Sequence, residues 1–129
     1  MRYQKGVHFH AVIFCYDTTD GTTYTDAVKL YKELIADVVD SKKASRFAKV
    51  PVAFVGTKLD LTDFLDSSMT AIPRCIKVSD LRLWLDKVHK RAEHACFETS
   101  AKENIGISPM VEWVVKAALR AYPDIEKAR

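Results

Sequence analysis

The chain has 129 residues, 48% of them hydrophobic and 29% charged, which fits one globular domain and excludes a disordered chain. Its formal net charge is +3 and its lysines and arginines are interleaved with acids, so the charge does not predict a nucleic-acid-binding protein. An odd number of cysteines without a C-x-x-C pair, no apolar run of membrane-spanning length and no signal peptide predict an intracellular protein in a reducing compartment.

The first half of the chain alternates strand and helix signals. Residues 9–17 are rich in β-branched and aromatic side chains and predict a strand covered on both faces. A turn over residues 18–21 follows, and apolar residues then recur at helical spacing from Thr25 to about Val39, with Thr25 as the cap. After a basic connection, residues 52–56 predict a second buried strand.

The second half repeats this order after a longer connection. Residues 60–77 show little periodicity and predict a long loop with at most a short helical turn. Ser79 is placed to cap the next helix, residues 95–100 predict a third strand, and Ser108 with Pro109 starts a last helix. The apolar faces of these two helices are predicted to carry, respectively, Leu81, Leu85, Val88 and Ala92, and Val111, Val114, Val115, Ala118, Leu119 and Tyr122.

A strand followed by a helix, three times over, predicts a three-layer α/β domain. Right-handed crossovers would give three parallel strands with helices on both faces of the sheet. Ligands of such sheets bind at the carboxyl ends of the strands. Asp17, residues 56–60 and residues 100–102 all lie at that end, so the two later loops are expected to converge.

The chemistry of these loops suits a guanine ring. The carboxylate of Asp60 offers two acceptor oxygens, which match the ring N–H and the exocyclic amine of guanine, whereas adenine leaves such a carboxylate unpaired. Backbone N–H groups at Ser100, Ala101 and Lys102 could donate to the keto oxygen. The stems of Lys58 and Lys102 could flank the ring while their ammonium groups stay in water.

Each of these residues also has a purely structural interpretation. Lys58 and Asp60 could be an exposed pair after a strand, and Thr57 and Ser100 could serve only their loops. Asp17 is interpreted as support for the turn after the first strand. His8 and His10 share a strand face but lack further metal ligands, and Trp84 and Trp113 are assigned to helix packing rather than to a ligand.

At these residues the sequence resembles the small GTPases of the Ras superfamily, in a Rab-like form. Thr57-Lys58-Leu59-Asp60 resembles the family's Asn-Lys-x-Asp motif, with the threonine familiar from the Rho branch, and Ser100-Ala101-Lys102 matches its second base motif. The resemblance covers nearly the whole chain. It implies a partial, doubly wound P-loop NTPase-type fold and guanine-binding residues Thr57, Lys58, Asp60, Ser100, Ala101 and Lys102, with no catalytic or metal-binding residue.

The same resemblance implies that half of the family's domain is missing. No G-x-x-x-x-G-K-[ST] phosphate loop and no Asp-x-x-Gly motif occurs, so residues 1–129 are expected to form one partial domain without the phosphate-loop and switch half. The parent would bind GTP or GDP with Mg²⁺, whose ligands are absent here, and would act as a cytoplasmic membrane-traffic switch peripheral to endomembranes. Whether this chain is itself an enzyme stays open.

An alternative is a non-catalytic half-domain that acts as a protein-interaction module. Loss of the neighbouring strands would leave the first strand as an apolar edge that pairs with another chain, with the loop over residues 62–77 as a further contact surface. Effector or regulatory proteins are the partners that the GTPase interpretation implies. A receiver-like or flavodoxin-like domain is a third and weaker interpretation, since the first would need acidic residues after an early strand and the second a phosphate-binding loop rich in Ser and Thr.

Overall fold

Three strands and four helices alternate along the computed structural model, which describes residues 10–39, 50–62, 72–90 and 92–123. In chain order they are β1 (Val12–Asp17), α1 (Gly21–Val39), β2 (Val52–Thr57), α2 (Leu59–Thr62), α3 (Val78–Val88), β3 (His94–Glu98) and α4 (Ile107–Ala121). The predicted order of strands and longer helices is confirmed, and α2 is the short helical turn expected after the second strand.

The sheet is parallel, with the order β1-β2-β3. Val12 pairs with Val52, and Val52 pairs with His94, so the three strands run in register with their carboxyl ends together. β2 lies in the centre and is buried from Val52 to Gly56, which explains its continuous apolar run in place of an alternating pattern. The predicted three-layer α/β class is therefore confirmed.

The larger core lies between the sheet and helices α1 and α3. Phe14 of β1 stacks on Phe54 of β2 with ring centroids 5.1 Å apart, and Tyr31 of α1 meets Phe14 edge-on. Trp84 packs edge-on against Phe54, so its assignment to helix packing holds. Leu81 and Leu85 of α3 are fully buried, as their spacing predicted.

Helix α4 covers the opposite face of the sheet, but it is turned away from its predicted orientation. Trp113 contacts Phe97 of β3 and Ala117 is fully buried, whereas Val111 and Val115 are about half exposed. The two valines were expected inside because they share the helical apolar pattern. They stay exposed because α4 packs over β3, and no described element covers this face above β1, where Ile13 is 41% exposed.

Three predicted helix starts are wrong in their details. The carboxylate of Asp20 accepts the N–H of Thr22 at 2.9 Å and caps α1, while Thr25 lies inside the helix and donates to the carbonyl of Gly21. Helix α3 begins at Val78 without a side-chain cap bond, so Ser79 is not its cap. Helix α4 begins at Ile107, one residue before the predicted Ser108.

Other element boundaries differ from the prediction because tertiary contacts override the local sequence pattern. β3 ends at Glu98, because Ser100 leaves the strand to form an isolated bridge with Ile105. Val88 is exposed although it was predicted on the apolar face of α3, whereas His89, at the end of that helix, is 96% buried, and Ala92 lies beyond the end of α3. The predicted strand start at residue 9, the side chains at 35–39 and most of the loop, residues 63–71, lie outside the described residues.

Candidate guanine-base site

The loops that follow the three strands are bonded to one another. Thr18, after β1, donates its N–H and its hydroxyl to the carbonyl of Thr57 at 3.1 and 2.7 Å. Leu59, after β2, donates its N–H to the carbonyl of Thr99 at 2.9 Å. Parallel strands bring their carboxyl ends to one edge, and these bonds then fix the loops against each other.

Gly56 ends the buried part of β2 because the neighbouring strand leaves no room for a side chain. A Cβ at this position would lie 2.7 Å from the Thr18 methyl and 2.8 Å from the Tyr16 hydroxyl. The Tyr16 hydroxyl is buried without a hydrogen-bond partner among the described residues. The glycine that breaks the apolar run is therefore a packing requirement at the site's edge.

The Asp60 carboxylate faces the Ser100 turn. The Ser100 hydroxyl donates to Asp60 Oδ1 at 2.8 Å, and the same hydroxyl accepts the N–H of Glu103 at 3.1 Å. Ser100 is fully buried. Asp60 Oδ2 has no partner among the described side chains and backbone groups, so one carboxylate oxygen stays open as an acceptor.

The Ser100 turn is closed by a two-residue bridge. Ser100 and Ile105 exchange N–H to carbonyl bonds at 3.0 and 2.9 Å, and Asn104 and Gly106 have positive φ angles of 53° and 76°. A Cβ on Gly106 would lie 2.5 Å from the carbonyl oxygen of Glu98, so only glycine fits there. Ala101 and Lys102 are exposed, and within the described chain their N–H groups have no acceptor.

Lys58 lies beside the site in a left-handed backbone conformation, with φ 62°. Its side chain is 59% exposed, and its ammonium group pairs with Asp17 Oδ2 at 2.9 Å. Hydrogen bonds from the Thr19 hydroxyl and the Lys58 ammonium lower the pKa of Asp17 to about 2, and the pairing raises the pKa of Lys58. The interpretation of Asp17 as support for the turn holds, with the Lys58 pair added.

Thr57 and Lys102 differ in what holds them. The Thr57 hydroxyl donates to the carbonyl of Tyr16 at 3.1 Å, so this side chain links β2 to β1. Lys102 is exposed at the Ser100 turn. The structure thus brings Asp60, Ser100 and the exposed N–H groups of the turn together. Thr57 is held by the bond from its hydroxyl to the backbone of β1.

Comparisons with known proteins cover the stretch of chain that contains the candidate site. The sequence matches the Ras family over residues 1–120. The chain belongs to the Ras family. It is 27% identical over 117 residues to Ras-related protein RabK1 of Dictyostelium discoideum, a match that covers 89% of this chain and 49% of that relative. The chain thus spans about half the length of this relative, and the Rab-like resemblance of its motifs is supported.

The described residues of this Ras-family chain do not form a metal site. They contain no group of three or more His, Cys, Asp or Glu side chains that could hold a metal. Mg²⁺, which the family implies, does not fit Asp17, because that carboxylate is engaged by Thr19 and Lys58. His10 packs edge-on against Tyr122, and His8 lies outside the described residues.

Two further observations bear on chemistry and membrane contact. Burial raises the pKa of the Cys96 thiol to about 11, so this cysteine is neutral at pH 7 and unsuited to nucleophilic chemistry. Among the helices that the structure describes, none combines the length and apolar character needed to cross a bilayer.

Sequence reasoning missed two groups of residues that hold the site. Thr18 was assigned only to a turn, but its hydroxyl reaches the carbonyls of Thr57 and Lys58. Residues 72–75 were assigned to a loop that could serve as a contact surface for other proteins, but they bond to the turn after β1, to α2 and to the end of β3. No local pattern signals either group, because each acts on residues at least 11 positions away along the chain.

Proposed function

We propose that this chain provides the guanine-base site of a small GTPase of the Rab or Ras type. The observation that carries the proposal is the Ser100 hydroxyl bond to Asp60 Oδ1, which holds a carboxylate at the meeting point of two loops. The open Oδ2 and the remaining lone pair of Oδ1 match the adjacent N–H donors of guanine. Adenine would leave this carboxylate without a donor, which disfavours its binding.

The neighbouring groups supply the rest of a base slot. The exposed N–H groups of Ala101 and Lys102 are available for the keto oxygen of guanine. The aliphatic stems of Lys58 and Lys102 flank the plane of the ring in this proposal, and Asp17 holds the ammonium of Lys58 at one end. The Thr57 hydroxyl fixes β2 to β1 by donating to Tyr16, and its oxygen keeps lone pairs that can accept a hydrogen bond from the nucleotide.

The activity of the whole protein is a wider proposal. GTP or GDP is the nucleotide, with phosphate and Mg²⁺ contacts supplied by residues outside those described, and the complete protein acts as a membrane-traffic switch at the cytoplasmic side of endomembranes. Phosphate and metal contacts supply much of the nucleotide affinity and the chemistry in such enzymes. The 129 residues alone are therefore expected to show negligible GTP hydrolysis and only weak, millimolar-range binding, about 4 kcal/mol.

The test is base selectivity measured on the chain itself. Titration of the ¹⁵N-labelled chain with GDP is expected to shift the amide signals of Asp60, Ala101 and Lys102, and ADP is not. Asp60→Asn is expected to lose the GDP response and gain one to xanthosine diphosphate, because an amide can donate to the carbonyl that replaces the amine. Asp80→Asn, an exposed change at the start of α3, is the matched control.

Three results would contradict the proposal. Equal shifts with GDP and ADP would show that Asp60 does not read the base. Sub-micromolar binding of GTP by these residues alone would refute the expectation that the phosphate contacts lie elsewhere. An Asp60→Asn chain that still binds GDP as the unaltered chain does would remove the carboxylate from the site.

A second candidate function is a protein-interaction module that pairs through β1. The Val12 N–H donates to the carbonyl of Pro51, just before β2, so Val12 presents its backbone groups to β2. The alternate residues Ile13 and Cys15 therefore present their backbone groups to the outer edge of β1. No described strand pairs with that edge, and both side chains are exposed. A strand of another protein bound there would protect the Ile13 and Cys15 amides from hydrogen exchange, and an unprotected edge in its presence would exclude it.

A further inference from the structure

Residues 72–75 form a strap across the carboxyl edge of the sheet. The N–H of Ile72 donates to the carbonyl of Leu61 at 2.8 Å, which holds the loop after β2. The N–H of Cys75 donates to the carbonyl of Thr18, also at 2.8 Å, which holds the loop after β1. These four residues therefore span the segments that carry the candidate site.

Arg74, between these two anchors, reaches the third strand. Its Nε donates to Glu98 Oε2 at 2.7 Å and its terminal nitrogen donates to Oε1 at 3.0 Å, a two-bond fork. The Arg74 side chain is 32% exposed and that of Glu98 is 12% exposed, so the pair is screened less than a typical surface pair. Such charge-assisted forks fix orientation as well as distance.

We infer that Arg74 is a positioning residue for the guanine-base site, a claim that rests on the proposed function. Arg74 acts through Glu98, which lies two residues before Ser100 in the chain. Because the Ser100 hydroxyl donates to Asp60, movement of the Glu98 end of β3 would shift the carboxylate that reads the base. The strap also holds Leu61, the residue after Asp60, so both sides of the site are fixed by one segment.

The opposite end of β3 carries a matched control. Arg120 makes the same kind of fork, with Nε bonds of 3.0 Å to both Glu93 oxygens and a terminal-nitrogen bond of 2.6 Å to Oε1. Glu93 directly precedes β3, at the amino end of the sheet. Loss of Arg120 therefore removes a more exposed arginine–glutamate pair, with side chains 54% and 41% exposed, at the other end of β3 without touching the site.

The experiment compares Arg74→Ala, Arg74→Lys and Arg120→Ala in the full chain. Hydrogen exchange is measured at the Ser100 and Glu103 amides, which donate to Ile105 and to the Ser100 hydroxyl, and urea unfolding gives the global stability of each variant. Arg74→Ala is expected to reduce protection of these amides about 10-fold more than Arg120→Ala at matched global stability. Arg74→Lys should not rescue it, because an ammonium cannot form the fork.

A second measurement distinguishes a role of Arg74 in positioning Asp60 from a role in general stability. Inosine diphosphate lacks the exocyclic amine, so the ratio of its Kd to that of GDP reports how well Asp60 is aimed. Arg74→Ala is expected to lower this ratio by about 5-fold, the change in affinity that corresponds to roughly 1 kcal/mol, and Arg120→Ala is expected to leave it unchanged. General destabilisation would weaken both ligands equally.

Equal exchange losses in Arg74→Ala and Arg120→Ala, or full protection in Arg74→Ala, would overturn the inference. If Arg74→Ala does not fold, Arg74→Lys keeps the charge and carries the same comparison. The exchange measurement needs no nucleotide. A chain that binds no GDP would therefore overturn the proposed function, while the difference between the two arginine variants would still decide the role of Arg74.

Discussion

The buried His89 illustrates how one side chain can link three elements. Its Nε2–H donates to the carbonyl of Val50, before β2, at 2.9 Å, and its Nδ1 lies 3.1 Å from the hydroxyl of Tyr31 in α1. His89 itself ends α3. A carbonyl can only accept, so Nε2 carries a proton, and burial, which lowers the pKa of the ring, favours the neutral form.

This geometry predicts a pH dependence of stability. Burial, with the nearby ring of His94, lowers the pKa of His89 below its usual 6.5, while the bond to Val50 opposes the shift. The unfolded chain therefore binds this proton at higher pH than the folded chain does. The contribution to stability is complete above about pH 6.5 and is lost as the pH falls through the lower folded pKa.

The check is urea unfolding of the unaltered chain and His89→Gln between about pH 5 and pH 8. The free energy of unfolding of the unaltered chain is expected to fall below pH 6.5, and His89→Gln is expected to lose that component. His94, which contacts His89 and pairs with Asp86, is the comparison, and His94→Gln should retain most of the fall, because burial is the larger cause of the lowered pKa of His89. The pH range of this fall lies above the range in which Asp17 titrates, because the pKa of Asp17 is about 2. A flat profile for the unaltered chain would contradict the prediction.

At the scale of single elements, a helix start depends on which side chain caps it, and sequence patterns identify that side chain poorly. Asp20 precedes a polar first turn, so the apolar periodicity that predicts a helix is silent until Ala27. Ser79 looks like a cap because a serine precedes apolar residues, yet α3 begins one residue earlier and its first N–H groups receive no side-chain bond. The cap is decided by which oxygen reaches an N–H.

Substitution of the two residues tests this assignment. Asp20→Ala is expected to lower the free energy of unfolding by about 1 kcal/mol, because the Thr22 N–H loses its acceptor. Ser79→Ala is expected to stay within about 0.5 kcal/mol of the unaltered chain, since its exposed side chain caps nothing. Urea unfolding at pH 7 measures both. A larger loss for Ser79→Ala than for Asp20→Ala would show that the caps are misassigned.

At the scale of the whole molecule, the described sheet has an open side. Ile13 and Cys15 of β1 are exposed on the face that α4 covers only above β3, and their backbone groups have no described strand partner. Val111 and Val115 of α4 are exposed as well. Burial of each such side chain is worth roughly 1.5–3 kcal/mol, against a usual net stability of about 5–15 kcal/mol.

The open edge predicts self-association of the chain. Light scattering during gel filtration is expected to show dimers or larger species for the unaltered chain, because an unpaired apolar strand is a template for another chain. Ile13→Lys should shift the chain toward monomer by placing a charge on the edge. Leu83→Lys, at an apolar position on α3 that is 60% exposed against 41% for Ile13, is the control and should not change association. A monodisperse, cooperatively unfolding monomer of the unaltered chain would contradict this prediction.

The extent to which the sequence predicted the molecule follows from the range of each interaction. Continuous apolar runs such as Val52–Thr57 and helical spacing such as Leu81 with Leu85 are local, so strands, helices and the three-layer class were predictable. The candidate roles of the motif residues Asp60 and Ser100 were predictable from the chemistry of their side chains. The burial of His89 and the exposure of Val111 were not, because both depend on which element packs opposite.

Sequence alone determined the order of elements, the parallel sheet and the residue types at its carboxyl edge, since these follow from periodicity and from the handedness of crossovers. Tertiary structure alone decided that Lys58 would pair with Asp17, that Arg74 would hold Glu98, and that Ser100 would aim the carboxylate of Asp60. The pairs join residues 24 to 41 positions apart. Local patterns carry no information about such partners, because the fold creates the distances between them.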